Sequence, residues 1–214
     1  MLPVVSIVGQ SQSGKTTLME RLIAEFKRRG CRVAAVKHAS QDFDMDKPGK
    51  DTWRYAEVGG DAVVISSPHK LAMLRPHDNN DSIDEVLRLL GEEFDIVLVE
   101  GFHGEHVPKI EVHRKALKQG LRCEPEELKA VVTDEPLDID RPQYSPKDIS
   151  GVADFIEERI IGERGDETVL YINGSAIMIN KFAQQIFSNA LIGMALTLKG
   201  VEDVRTLQIS VRKR

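Results

Sequence analysis

The chain has 214 residues, 41% of them hydrophobic, enough to bury one full core and a small second module but too few for two large domains. Its 29 basic and 34 acidic residues, net charge -5, are spread without a block of like charge, which argues against nucleic acid or a membrane surface as partner. Cys31 and Cys123 lack metal-ligand spacing, Met1-Leu2-Pro3 passes straight into an apolar run, and no apolar stretch nears the roughly 20 residues that span a bilayer; a soluble cytoplasmic protein with reduced thiols is expected.

In chain order, Val4 to Val8 is a nearly continuous apolar run, the pattern of a strand buried on both faces in a parallel sheet. A helix is predicted from about Lys15 to Arg29, with Leu18, Leu22, Ile23 and Phe26 on one stripe and a stop at Gly30. Arg32 to Lys37 reads as a second strand. Beyond a carboxylate-rich segment, Pro48-Gly49 precedes a short helix near Lys50 to Val58, ended by Gly59-Gly60. Ala62 to Ser66 and Leu71 to Leu74 follow as short strands separated by Pro68. Ser82, with Glu85 three places on, has the form of a capping box for a helix whose buried stripe is Ile83, Val86, Leu87 and Leu90. Phe94 to Gly101 is another central strand, Lys109 to His113 and Ala130 to Thr133 are later ones, and Ile149 to Ile160 is a closing helix. Strands alternating with helices predict an α/β fold with an open, mostly parallel sheet flanked by helices.

Composition shifts at Gly162-Glu163-Arg164-Gly165-Asp166, which reads as a linker between a first domain, 1–163, and a small C-terminal module, 164–214. In that module Val169 to Ile172, Asn173-Gly174 and Ala176 to Ile179 predict a hairpin, because the turn pair tolerates positive φ. A helix bearing Phe182, Ile186, Phe187, Ala190 and Met194 follows, then a strand alternating Leu207, Ile209 and Val211. Such a ββαβ unit is too small to stand alone, so packing on the first domain or on a second copy is expected.

Gly9-Gln10-Ser11-Gln12-Ser13-Gly14-Lys15-Thr16-Thr17 satisfies the G-x-x-x-x-G-K-[ST] pattern between a strand and a helix. Inward backbone N–H groups and the positive end of the helix form a concavity for phosphate oxygens, and the Lys15 ammonium reaches the β and γ phosphates. Thr16 then places its hydroxyl on Mg²⁺. Against a ligand-free glycine turn, the strand and helix on either side favour a nucleoside triphosphate cradle with a P-loop NTPase-like fold.

A magnesium site of this kind recruits a carboxylate from the end of a neighbouring parallel strand, and Glu100 stands there; a solvated strand-end acid is the plainer alternative. Asp42, Asp44 and Asp46 alternate with Phe43 and Met45, so an extended segment turns three carboxylates to one side. Asp46 or Asp42 is the candidate to contact the metal or position water, against an exposed acidic loop. Lys50 and Arg54 are one helical turn apart and meet either phosphates or those aspartates. His38 reads as a hydrogen-bonded structural residue, and His103 and His106 as the rim of the same crevice. Lys15, Asp46 and Glu100 are the catalytic candidates.

Guanine presents N1–H and N2–H₂ side by side, so one carboxylate accepts both. Asp134, at the end of a late strand, lies where the base is expected, while Asn180-Lys181-Phe182-Ala183 lacks the acid of an Asn-Lys-x-Asp reader. The residues favour guanine while leaving adenine open.

Gly9 to Thr17, Lys37-His38, the run from Asp42 to Arg54, Val99-Glu100-Gly101-Phe102 and Pro108 to Arg114 together resemble the molybdopterin-guanine dinucleotide biosynthesis protein B (MobB) family. The resemblance covers about the first 160 residues, and the Asp42 to Arg54 run is its most distinctive part. It implies a P-loop GTP-binding protein with Mg²⁺ and weak GTPase activity. It also implies a homodimer, and an assisting role toward the molybdopterin guanylyltransferase (MobA-type) or another molybdoenzyme maturation partner. Gln41 stands where the family often has histidine, and the tail after Gly165 falls outside the minimal family domain. Two other functions fit the phosphate loop: a small-molecule kinase, disfavoured by the lack of an arginine-rich lid segment, and a nucleotide-switched binding adaptor whose tail docks a partner.

Overall fold

A computed structural model describes residues 2–39, 43, 46–76, 82–91, 93–104, 106–162, 168, 170–172, 175–177, 179–204, 207 and 209–211. The elements are β1 (Val4–Val8), α1 (Lys15–Arg28), β2 (Val33–Lys37), α2 (Asp51–Glu57), β3 (Val63–Ser67), β4 (Lys70–Leu74), α3 (Ile83–Leu90), β5 (Ile96–Glu100), β6 (Lys109–His113), β7 (Leu128–Thr133), β8 (Gln143–Tyr144), α4 (Ile149–Ile156), β9 (Leu170–Ile172), β10 (Ser175–Ile177) and α5 (Lys181–Leu196).

Six strands form one parallel sheet in the order β2-β5-β1-β6-β7-β8. β1 is therefore flanked by β5 and β6, which are far later in the chain, and its carboxyl end opens at the centre of the sheet. All five β1 residues are buried, as the apolar run predicts. Val5 and Ile7 pack with Leu18, Leu22 and Phe26 of α1 and with Val152 and Ile156 of α4. On the opposite face, Val4, Val97 and Val99 meet Ile83 and Leu87 of α3. Ser6 is also fully buried, and it is satisfied because its hydroxyl donates to the Gly101 carbonyl at 2.6 Å.

α1 stops where its glycine directs. The Gly30 amide donates to the Lys27 carbonyl at 3.0 Å and the Cys31 amide to the Phe26 carbonyl at 2.9 Å, the paired bonds of a Schellman end. Arg29 then joins α1 to α4, donating to Glu25 at 2.8 Å and to Asp154 and Glu157 at 2.7 Å each.

Two local expectations are corrected. Ser82 is the N-cap of α3 but makes no side-chain cap bond. Glu85 instead pairs with Arg75, which takes the carboxylate that a capping box needs. In the tail, β9 and β10 form the predicted antiparallel hairpin, with Ser175 opposite Ile172 across the pair Asn173-Gly174, which lies outside the described residues. The third strand expected from Leu207 to Val211 is not formed at its described residues, and Leu207, Ile209 and Val211 are exposed. Alternation supplies a face to such a segment but no partner edge to bond. β3 and β4 make a separate two-stranded sheet with Val64, Ile65, Leu71 and Met73 exposed. Among the described residues no helix is long and apolar enough to cross a membrane.

Candidate functional site

The loop after β1 is shaped by two glycines. Gly9 has φ +138°, and a Cβ there would stand 2.5 Å from the Val112 carbonyl oxygen and 2.9 Å from Ser13 Oγ. Gly14 has φ +99° and is the N-cap of α1, with no side chain capping the helix. The amides of Lys15, Thr16 and Thr17 thus lack an intrahelical acceptor at the positive end of a 14-residue helix. Ser13 Oγ is buried without a hydrogen-bond partner among the described residues. Lys15 Nζ donates to the carbonyls of Gly9 at 3.0 Å and Gln10 at 2.7 Å, so the ammonium lies against the loop. Burial lowers the Lys15 pKa, and Glu100 opposes that shift. An uncapped helix, an orphaned buried hydroxyl and a lysine folded against the loop carbonyls fit a polyphosphate.

Parallel register brings Glu100 of β5 opposite Ile7 of β1, two residues before the loop. Thr16 Oγ1 accordingly donates to Glu100 Oε2 at 3.4 Å. A hydroxyl and a carboxylate at this separation suit a hard cation that keeps waters and phosphate oxygens as its other ligands. Asp46 is a different matter. Its Oδ1 accepts from the Lys47 amide at 2.8 Å, a local bond, and its Oδ2 is buried without a partner among the described residues. Asp42 and Asp44 lie outside the described residues. Among the described residues no group of three or more His, Cys, Asp or Glu side chains gathers as a metal shell.

Asp134 directly follows β7. Its Oδ1 accepts from the Lys115 amide at 2.8 Å and its Oδ2 lies 3.5 Å from Arg114 Nη1. The Lys115 amide, then Arg114, hold its carboxyl below the usual range. The carboxylate expected to meet the base is thereby tied to Arg114, which also donates from Nε to the Ser13 carbonyl at 3.0 Å. The His38 amide donates to the Glu100 carbonyl at 2.9 Å, and its ring centroid lies 4.4 Å from that of Phe102. Burial lowers the His103 pKa, and the cations Arg122, Lys15 and Lys109 act in the same direction. Lys50, the N-cap of α2, and Arg54 within it are both exposed.

Sequence reasoning missed the polar face of β6. Lys109, Glu111 and His113 alternate like an edge strand's wet side, yet all three are buried. Each has its own partner: Lys109 pairs with Glu127 at 3.0 Å, Glu111 accepts the amides of Arg122 at 2.6 Å and Cys123 at 3.0 Å, and His113 meets Glu135 at 3.1 Å. Charged residues at every second position of a strand inside a parallel sheet were the available signal.

A parallel sheet whose central strand feeds a glycine loop, an uncapped helix, a lysine and a strand-end carboxylate defines a P-loop NTPase-like protein. Within that class the chain belongs to the MobB family, whose model, described as molybdopterin guanine dinucleotide synthesis protein B, matches residues 4–134. It is 39% identical over 157 residues to a molybdopterin-guanine dinucleotide biosynthesis adapter protein of Haemophilus influenzae, covering 73% of this chain and 88% of that one. An Escherichia coli protein of the same description is 32% identical over 174 residues, covering 77% and 97%. The crystal structure of a MobB homologue from Bacillus stearothermophilus superposes with a TM-score of 0.54 at 28% identity, over 74% of this chain and 100% of that one.

Proposed function

We propose that this protein is a cytoplasmic, GTP-binding adapter of molybdopterin guanine dinucleotide biosynthesis that hydrolyses GTP slowly. The observation that carries the reading is the phosphate cradle: Lys15 folded against the loop that precedes an uncapped helix, with Thr16 and Glu100 adjacent. Lys15 and the amides from Gly9 to Thr17 hold the phosphates, and Asp134 accepts the guanine N–H groups. Thr16 and Glu100 hold Mg²⁺, with the partnerless Asp46 Oδ2 as the candidate for an outer contact or for orienting water. Magnesium, when bound, neutralises charge on the β and γ phosphates. Family membership and the descriptions of its relatives support a partner that handles the pterin, a guanylyltransferase of the MobA type. Residues 1–163 form the nucleotide-binding domain, residues 164–214 form a docking module, and the working form is a homodimer.

Calorimetry with Mg²⁺ tests the core of this reading. GTP is expected to bind and ATP to bind more weakly. No GTP binding, or ATP bound at least as tightly, overturns the guanine assignment.

A further inference from the structure

Arg114 is the first residue beyond β6, the strand beside β1, and its guanidinium lies along the outside of the phosphate loop. Nε donates to the Ser13 carbonyl at 3.0 Å, and Nη1 is 3.5 Å from Asp134 Oδ2. Nη2 stands 3.2 Å from where a Cβ on Gly14 would be. One planar fork thus touches the carbonyl before Gly14, the bare face of Gly14 and a carboxylate. That carboxylate is fixed in turn, because Oδ1 accepts the Lys115 amide at 2.8 Å, and Lys115 Nζ lies 3.4 Å from Glu135, which meets His113 at 3.1 Å.

In a planar trans peptide the C=O of one residue and the N–H of the next point in opposite directions. A cation on the Ser13 carbonyl from outside therefore turns the Gly14 N–H inward and polarises it. We infer that Arg114 is a positioning residue of the phosphate cradle, setting the Ser13–Gly14 peptide and itself held in place by Asp134. The inference rests on the reading of this loop as a triphosphate site. It has a consequence that base recognition alone does not: the Asp134 carboxylate supports binding of a phosphate chain that carries no base.

The test uses the full chain, Mg²⁺ and inorganic tripolyphosphate, with affinity read by calorimetry and the Gly14 amide followed by NMR. Arg114→Ala weakens tripolyphosphate binding about tenfold, the size of a lost charge-assisted hydrogen bond. Arg114→Lys, which keeps the charge but not the fork, weakens it about threefold. Asp134→Asn also weakens it, and the Arg114→Ala, Asp134→Asn double variant binds no worse than Arg114→Ala alone. In each single variant the Gly14 amide proton moves upfield while α5 amides stay in place. Should Arg114→Ala fail to fold, Arg114→Lys decides. Tripolyphosphate binding as in wild type by either Arg114 variant, or additive losses in the double variant, overturns the positioning role. A wild-type protein that binds no tripolyphosphate overturns the triphosphate site and this inference together. One that binds tripolyphosphate but not GTP overturns the guanine assignment alone.

Discussion

Thr16 Oγ1 donates to Glu100 Oε2 at 3.4 Å although 84 residues separate them in the chain. The contact exists because β5 inserts beside β1 with Glu100 opposite Ile7. Glu100→Gln should therefore cut the gain in GTP affinity that Mg²⁺ provides by about tenfold or more, the usual cost of losing a carboxylate that holds or orients a metal's ligands. Without Mg²⁺ the variant should bind GTP at least as well as wild type, since a negative charge near the phosphates is gone. Affinities measured with Mg²⁺ and with a chelator give the ratio. An unchanged ratio removes Glu100 from the metal site.

The two loop glycines should fail differently. Gly9→Ala drives a Cβ to 2.5 Å from the Val112 carbonyl at φ +138°, so β1 and β6 must part or the loop must move. The cost is about 1–3 kcal/mol of stability by backbone strain alone. At Gly14, φ +99°, the Cβ meets the Arg114 guanidinium, with Nη2 at 3.2 Å and Nε at 3.5 Å, and no backbone atom. Gly14→Ala should thus cost less stability than Gly9→Ala while lowering phosphate affinity at least as much. Urea unfolding of both variants beside calorimetry separates the effects, and equal destabilisation would contradict the packing difference.

The central strands, α1 with its glycine stop and the phosphate loop were legible because burial periodicity and short-range spacing determine them, and Glu100 was legible as the last residue of a strand. Arg114 was not, since its contact with Ser13 spans 101 residues and depends on β6 lying beside β1. Glu111 was hidden for a related reason: its partners are amides supplied by the turn after the strand, and an amide has no sequence signature. The capping box at Ser82 failed because Arg75 competes for Glu85 from outside the helix. The strand at Leu207 to Val211 failed because alternation does not name a pairing edge. Asp46 reads from the sequence as one of a row of carboxylates on an extended segment; Asp42 and Asp44 lie outside the described residues, and Asp46 Oδ1 accepts from the Lys47 amide, a local bond that a charge pattern does not reveal.

Acid should loosen α1 from its network. Hydrogen bonds from Arg28 and then Arg29 lower the Glu25 pKa from its ordinary 4.5 to about 2. A carboxylate with a depressed folded-state pKa contributes stability above its unfolded pKa and loses it as pH falls toward the folded value. Wild type should exceed Glu25→Gln in urea midpoint by a constant margin above about pH 5. That margin should shrink through the interval from 4.5 to about 2. Arg28 is exposed and salt weakens such pairs, so the margin should also fall in roughly 1 M salt. A margin that persists at the acid end would assign the effect to helix propensity instead.

Glu111 offers the sharpest stability test. It is 1% exposed, opposite Val8 of β1, and its two oxygens receive the amides of Arg122 and Cys123 at 2.6 and 3.0 Å. Glutamine has the same shape but a single acceptor oxygen, so in Glu111→Gln an NH₂ group faces one of the two N–H groups, the part-buried Arg122 amide or the buried Cys123 amide. That leaves one amide without its acceptor beside a buried side chain, at a cost of about 2–4 kcal/mol. For a chain of this size each kcal/mol lowers the melting temperature by about 2–4 °C. Glu111→Leu should be worse, since both amides then lose their acceptor. Hydrogen exchange adds the local readout: the amides of Arg122 and Cys123 should exchange faster in the variant while those of Leu18 and Leu22 on α1 keep their protection relative to global unfolding. Wild-type protection at both amides in Glu111→Gln would mean that the turn is held by its backbone, and that the buried carboxylate serves the charge balance beneath Lys15 instead.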